Sequence, residues 1–332
     1  MNGAGSKYWL KENSYHKMFT LLATVAYSAY YLPHEEKSFV SWMRSTNQFF
    51  TGDDYQTRFG IYMSNQRLVQ EHNAGNTFKL GMNKFAAYTP SEYKSLLGFR
   101  QEASNEEATV SNFKVTDDEV DWRKKNVVQP IQDQAQCGSC WAFSTVQGCE
   151  SIYAINAGQL LKFSEQNIVD CVTSCYGCNG GLMTSAIKYV VKKQGGKFMP
   201  ESEYPYKAVA GTCKFDAKKA IGKVSGYINI KSGSESDLAA KIAQYGPACI
   251  AIDASHYSFQ LYSSGIYNEK SCSSRSLDHG VGCVGYGTED GTAYWIVRNS
   301  WGTSWGEEGY IRMSKDKNNQ CGVATMALVA KY

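Results

Sequence analysis

Proline and histidine are scarce in this 332-residue chain, with six and five copies, and cysteine is missing from its whole N-terminal third. Charge is also low: the formal net charge is +3, and lysine and arginine are scattered rather than grouped. That excludes the basic stripe on which nucleic-acid binding depends. No N-x-Ser/Thr sequon occurs, so sorting through an N-linked sugar is excluded. No apolar run is long enough to span a bilayer, and no repeat array is present, which argues against an embedded or purely structural role.

What is present points the other way. Eleven cysteines follow from Cys137 onward, too many for a reducing compartment, and the odd count leaves at least one outside any intramolecular bridge. One short apolar run covers residues 19–32, preceded by Lys11, His16 and Lys17. It reads as a secretory signal, with Ala26 and Ser28 suited to cleavage after Ser28; the plain alternative is a buried helix. The leader before it is polar and long, and Met18 is an alternative start to Met1. The length suits two units, or one large domain with an extension.

Residues 34–50 place Phe39, Val40, Trp42, Met43, Phe49 and Phe50 at helical spacing, and Thr51-Gly52-Asp53 reads as a stop and a new N-cap. A second helical pattern runs over 54–73, with Phe59, Tyr62, Met63, Leu68 and Val69 on one side. Residues 77–81 alternate like a short strand, and Pro90 opens a further helix through Leu97. Residues 101–115 are polar and acidic without periodicity, the natural linker and processing region. The expected divisions are 1–28 for leader and signal, 29–115 for a helical propeptide and 116–332 for the main domain.

In that domain, Cys137-Gly138-Ser139-Cys140-Trp141 opens a helical pattern carrying Ala142, Phe143, Val146, Ile152 and Ile155. Cys140 is thereby expected at a helix N-terminus, where unpaired N–H groups and the macrodipole favour the nucleophilic thiolate. Ser164 caps a short helix ending near Cys171, and residues 184–193 form another. Strand patterns follow at 224–230, 248–252, 280–286, 293–298 and 309–313. Helices first and strands second predict an α+β fold of two lobes with a cleft between them. His279, in Leu277-Asp278-His279-Gly280, offers a cysteine nucleophile an imidazole that titrates in the range of a base. Of the other histidines, His16, His34 and His72 precede the domain and His256 has a polar loop setting. Asn299, in Asn299-Ser300-Trp301-Gly302, can orient an imidazole, and Trp301 can shield that bond; alone, such an Asn caps turns.

These motifs resemble the papain family of cysteine peptidases, and most closely its cathepsin L-type zymogens. The proregion supports the resemblance: Asp54, Arg58, Tyr62, Asn65, Val69 and Asn73 stand at the spacing of that group's helix motif. Its Gly-x-Asn-x-Phe-x-Asp element reads Gly81, Asn83 and Phe85 but ends in Ala87, which lacks the carboxylate of an acid trigger. The resemblance implies a helical lobe plus an antiparallel barrel-like lobe behind an inhibitory propeptide. It implies Cys140 as nucleophile, His279 as acid–base partner, Asn299 as its orienter and Gln134 as oxyanion donor. Ala135 stands where many relatives carry Gly, with little effect expected. It also implies bridges Cys137–Cys178, Cys171–Cys213 and Cys272–Cys321; residues alone leave connectivity open. Cys249 and Cys283 are expected as buried thiols, and Cys149–Cys175 as a conceivable fourth bridge.

By the same resemblance Gly138, Gly180 and Gly181 line S1, and Leu182, Met183, Ala251, Leu277, Gly280 and Met326 build an apolar S2 pocket. Singly, these residues read as ordinary packing. The implied activity is a thiol endopeptidase acting on protein and peptide substrates with apolar P2 residues, inhibited by its own propeptide. It needs no cofactor or metal, is expected to be monomeric, and is destined for a lysosome-like compartment or the exterior. A zinc module built on the two C-x-x-C pairs, Cys137/Cys140 and Cys175/Cys178, is the rival reading; their separation of roughly 35 residues is long for it. A catalytically silent binding homologue would need a replaced nucleophile or base, and neither is replaced.

Overall fold

A computed structural model describes residues 32–101, 113, 115 and 118–332. The expected signal segment and most of the linker lie outside the described residues. The chain forms two compact units, one up to Ser64 and one from Asn65 to Tyr332.

In the first unit, α1 (Pro33–Ser45) starts on a proline in its first turn. It stops short of the expected Phe50 because the Thr46 hydroxyl takes the Trp42 carbonyl (2.8 Å) and Asn47 turns left-handed. α2 (Gly52–Gly75) begins in this unit, close to the expected 54–73. Phe39 is the hub of the unit's core, with the rings of Trp42, Phe50, Tyr55, Phe59 and Tyr62 centred 5.2–6.3 Å from its own.

In the second unit, β1 (Lys79–Leu80) is followed by α3 (Pro90–Leu96), whose Thr89 and Glu92 exchange bonds in a capping box. β2 (Val120–Asp121) precedes α4 (Cys140–Ala157), α5 (Glu165–Cys171) and α6 (Met183–Lys193). The remainder is mostly strand: β3 (Gly226–Asn229), then α7 (Glu235–Tyr245), β4 (Ala248–Ile252), the single turn α8 (Tyr257–Gln260), β5 (Tyr262–Ser264) and β6 (Ile266–Tyr267). β7 (His279–Glu289), β8 (Thr292–Arg298), β9 (Tyr310–Ser314) and β10 (Ala327–Lys331) complete it. Sequence periodicity missed α7 and β10. α7 carried a usable signal, since the Ser234 hydroxyl accepts from the Asp237 N–H as a cap.

The fold is α+β. One sheet runs β3-β10-β4-β7-β8-β9-β6, with β2 added to β7; every pairing is antiparallel except β6–β9. α4 lies against it, its Ser144 hydroxyl donating to the Val281 carbonyl at 2.7 Å. β1 pairs with β5, and Gly81 N–H donates to the Leu261 carbonyl, so the later proregion is tied into the main domain. No helix among the described residues is long and apolar enough to cross a membrane.

Candidate active site

Two element ends meet at the site. Cys140 is the first residue of α4, and His279 is the first of β7, paired across to Ile252 on β4. The Cys137–Cys178 bridge and the Gly138 N–H bond to the Cys178 carbonyl (2.9 Å) hold the turn into α4. Asn299 follows β8, and its Oδ1 lies 2.8 Å from His279 Nε2. That oxygen only accepts, and it also receives the Ser300 N–H at 2.8 Å, so the imidazole proton sits on Nε2. The basic nitrogen is then Nδ1, which has no hydrogen-bond partner among the described residues. Trp301 covers the imidazole, with ring centroids 4.8 Å apart.

Gln134 is fully buried. Its Nε2 donates to the carbonyls of Cys137 (2.8 Å) and Leu96 (2.9 Å), and its Oε1 accepts from the Ser300 hydroxyl (2.7 Å). The Leu96 carbonyl comes from the end of α3, and the next residues also lie in the site. Gly98 N–H donates to Cys140 Sγ at 3.2 Å, alongside Gly280 N–H at 3.4 Å. Phe99 N–H donates to the Asp278 carbonyl at 2.9 Å. Gly181 N–H donates to the Gly98 carbonyl, and Arg100 N–H to the Gly181 carbonyl, forming a parallel bridge at Phe99. The glycines are needed here: a Cβ at Gly98 would fall inside the Gly138 carbonyl, and one at Gly180 would come within 2.7 Å of the Gly98 oxygen.

Phe99 is buried in one apolar cluster with Leu182, Met183, Ala251 and Leu277, against which Met326 packs. Gly280 lies so close to α4 that a Cβ there would stand 3.3 Å from the Cys140 carbonyl. The residues expected in the cleft are thus gathered, and Leu96, Gly98 and Phe99 join them. Sequence reading missed these three because Gly98 after a short helix looks like an ordinary cap, far along the chain from Cys140.

In this state burial works against the thiolate that the helix terminus favours. Burial pushes the Cys140 thiol up to about 11, even though the Gly280 and Gly98 N–H groups pull the other way. Burial also lowers His279 to about 4 against the bond to Asn299. Both shifts favour the neutral forms, and Gly98 is among the groups that cover the thiol.

Disulfides join Cys137–Cys178, Cys171–Cys213 and Cys272–Cys321. No bridge joins Cys149 to Cys175. Cys175 lies beside Gly181 and Trp141 at the start of α4, whereas Cys149 is eight residues further along, about 12 Å by helix rise. Asp253, His256 and Cys272 cluster at metal-ligand distance, but the Cys272 sulfur belongs to a disulfide and offers no thiolate. The zinc alternative meets the same difficulty, since Cys137 and Cys178, one from each C-x-x-C pair, are bonded to each other.

A helix-borne cysteine, a strand-borne histidine and a filled cleft define a thiol hydrolase proenzyme, and comparison with known proteins agrees. The profile "Papain family cysteine protease" matches residues 116–331, and "Cathepsin propeptide inhibitor domain (I29)" matches 39–93. The chain belongs to the papain family of cysteine proteases; it is a cathepsin L-like cysteine endopeptidase with a propeptide inhibitor domain. It is 42% identical over 306 residues to "Cysteine proteinase 3" of Dictyostelium discoideum, covering 88% of this chain and 90% of that one. It is 43% identical over 286 residues to "Cathepsin L-like" of Caenorhabditis elegans, covering 82% and 84%. Among solved structures, digestive procathepsin L 3 of Tenebrio molitor larval midgut superposes with a TM-score of 0.83 at 35% identity, covering 90% of this chain and 99% of that one.

Proposed function

We propose that Cys140, His279 and Asn299 form the triad of this endopeptidase, with Gln134 as side-chain oxyanion donor. Cys140 transfers its proton to His279 Nδ1, and the thiolate attacks a peptide carbonyl. His279 then protonates the departing amine. Water, deprotonated by His279, releases the acid from the thioester and restores the thiol. Gln134 Nε2 and the Cys140 N–H stabilise the oxyanion, a contribution on the order of 3 kcal/mol per donor. No step calls for a metal or organic cofactor.

The observation carrying this reading is that Gln134 Nε2 already holds a carbonyl, that of Leu96, while Gly98 N–H caps the Cys140 sulfur. A backbone carbonyl fits the donor, and the parallel bridge to Gly181 runs the proregion through the cleft. On this reading residues 96–100 act as an uncleaved occupant and the chain is its own inhibitor. Phe99 marks the S2 pocket of Leu182, Met183, Ala251, Leu277, Gly280 and Met326. All are apolar or small, so P2 selectivity favours Leu, Val or Phe over Arg, with each methylene of fit worth about 1–3 kcal/mol. Gly138, Gly180 and Gly181 line S1 and leave room for substrate backbone. The mature enzyme begins near residue 116, acts as a monomer, and travels the secretory pathway to a lysosome-like compartment or outside.

The test is amidase activity of the full chain after mild acid incubation with a reductant, in parallel with Cys140→Ala. Fluorogenic peptides would carry Leu, Phe or Arg at P2. Thiol-dependent activity that appears with loss of the proregion, favours Leu and Phe, and is absent in Cys140→Ala is expected. A processed, reduced and folded enzyme without activity on any of the peptides would overturn the reading.

A further inference from the structure

We infer that Asp133 is a specificity-determining residue of this endopeptidase, selecting substrates that carry an arginine or lysine within the three residues after the scissile bond. The inference deepens the reading of the triad above and rests on it.

On that reading the leaving amine takes its proton from His279, and Trp301 covers the imidazole, with ring centroids 4.8 Å apart. The chain on either side of Asp133 runs antiparallel to the chain around Trp301. Gln134 N–H donates to the Ser300 carbonyl (2.8 Å) and Gly302 N–H to the Gln132 carbonyl (3.0 Å), so Asp133 and Trp301 form an antiparallel bridge. Residues directly opposite in such a bridge put their side chains on one face, with Cβ atoms about 4.5–5.5 Å apart. The carboxylate is therefore the neighbour of the indole. A Cβ at Gly302 would stand 3.0 Å from Asp133 Oδ2, so glycine keeps that side of the carboxylate clear. The acyl part of a substrate lies the other way, at Gly181 and the apolar cluster that now holds Phe99. A chain bound in the cleft thus carries the residues after its scissile bond past Trp301 and Asp133.

Two consecutive proregion residues already occupy this place. Lys84 Nζ donates to Asp133 Oδ2 at 2.5 Å, and the Phe85 ring lies against Trp301 with centroids 5.1 Å apart. Departure of the proregion takes that ammonium and that ring away, while Asp133 Oδ1 stays held by the Ala135 N–H at 2.9 Å. What remains is an oriented carboxylate beside an indole that Phe85 has left. A guanidinium suits both, since its fork matches a carboxylate and its plane stacks on an aromatic ring. An ammonium suits the carboxylate alone, and a glutamate there meets a like charge. The Asp133 side chain is 45% exposed even in the zymogen, so the selection is moderate and is screened by salt.

The experiment uses internally quenched peptides that share Leu at P2 and place Arg, Gln or Glu at P1′, P2′ or P3′ in turn, with the cleaved bond confirmed by mass. The parent, Asp133→Asn and Asp133→Lys are each processed as full chains by the same added non-thiol protease, which is then inhibited. The readout is the ratio of kcat/KM for the Arg and Glu peptides within one preparation, which does not depend on how much of it folded. Asp133→Asn keeps an acceptor for the Ala135 N–H and removes only the charge. At about 0.01 M salt the parent should favour Arg over Glu by about tenfold at one or more of the three positions, and by less than about threefold at about 1 M. Asp133→Asn should bring the low-salt ratio to within about twofold, and Asp133→Lys should turn it in favour of Glu. The same ratio in the parent and Asp133→Asn, or a parent ratio near one at all three positions, would overturn the inference and leave the triad standing. No cleavage of any peptide by the processed, reduced parent would remove the triad reading and the inference with it.

Discussion

Ala135 holds the left-handed conformation, with φ of 48°, while its N–H is taken by Asp133 Oδ1 at 2.9 Å. From sequence the residue looked harmless, because alanine is small. Size is the wrong measure: the cost lies in the Cβ against its own carbonyl, about 1–2 kcal/mol, which glycine escapes. Glycine gives back part of this through the entropy of the unfolded chain. Ala135→Gly should therefore stabilise the Cys140→Ala zymogen by about 0.5–1 kcal/mol, read from the denaturant midpoint. A lower midpoint would show that the turn before Cys137 is not strained. The same scale explains why Cys140 could be located from sequence and its protonation could not. Position followed from the motif, whereas the thiol pKa depends first on burial and then on the Gly280 and Gly98 N–H groups that the tertiary fold brings to the sulfur.

At the scale of elements, the end of α2 and strand β1 form a clamp on the main domain. Asn73 exchanges two bonds with Leu80, each of 2.9 Å, which fixes β1 for pairing with β5. His72 lies on Phe78, with ring centroids 4.5 Å apart, and Phe78 in turn lies against Tyr267 at 5.0 Å. Burial lowers the His72 pKa below 6.5; Lys79 adds to this, while the Phe78 carbonyl and Glu269 oppose it. The neutral form is thus the one the clamp prefers. Its stabilisation is complete above 6.5 and is lost as pH falls through the lowered value. Hydrogen exchange of the Leu80 and Ser264 amides, corrected for intrinsic rates, should speed up between pH 7 and 5 in the Cys140→Ala chain. The increase should shrink in His72→Gln; an equal increase in both would exclude this histidine. A titratable group in the clamp is of interest because Ala87 leaves the proregion motif without its carboxylate.

For the molecule as a whole, a buried charge cluster links the helices of the main domain. Lys162 Nζ reaches Glu150 of α4 (3.2 Å) and both oxygens of Glu165 on α5 (2.7 Å each). Burial pushes the Glu150 carboxyl up to about 7; Lys162 pulls it down and Glu165 pushes it further up. Because the folded value lies above the unfolded one, the stabilisation is full below about 4.5 and is lost as pH rises to about 7. Glu150→Gln keeps an acceptor for the Phe163 N–H, which now bonds Glu150 at 2.8 Å, and removes the titration. Melting temperatures between pH 4.5 and 7 should fall less in Glu150→Gln than in its parent, both carrying Cys140→Ala. Parallel curves would show that this carboxylate ionises without cost.

The sequence by itself determined the family, the α+β class and the strands 248–252 and 280–286, and it put forward Gln134, Cys140, His279 and Asn299 as the candidate site. Local pattern carries such information, since periodicity reports one buried face and a motif reports one turn. β10 escaped because its burial is set by partners distant in the chain, whereas α7 was passed over despite its local Ser234 cap. Only the tertiary structure decided that Leu96, Gly98 and Phe99 fill the cleft, that Cys149 and Cys175 stay unbridged, and that Ser300 grips the Gln134 oxygen. Each of these depends on groups separated by 26 to 179 residues of chain. That is a matter of packing and desolvation, which no local pattern encodes.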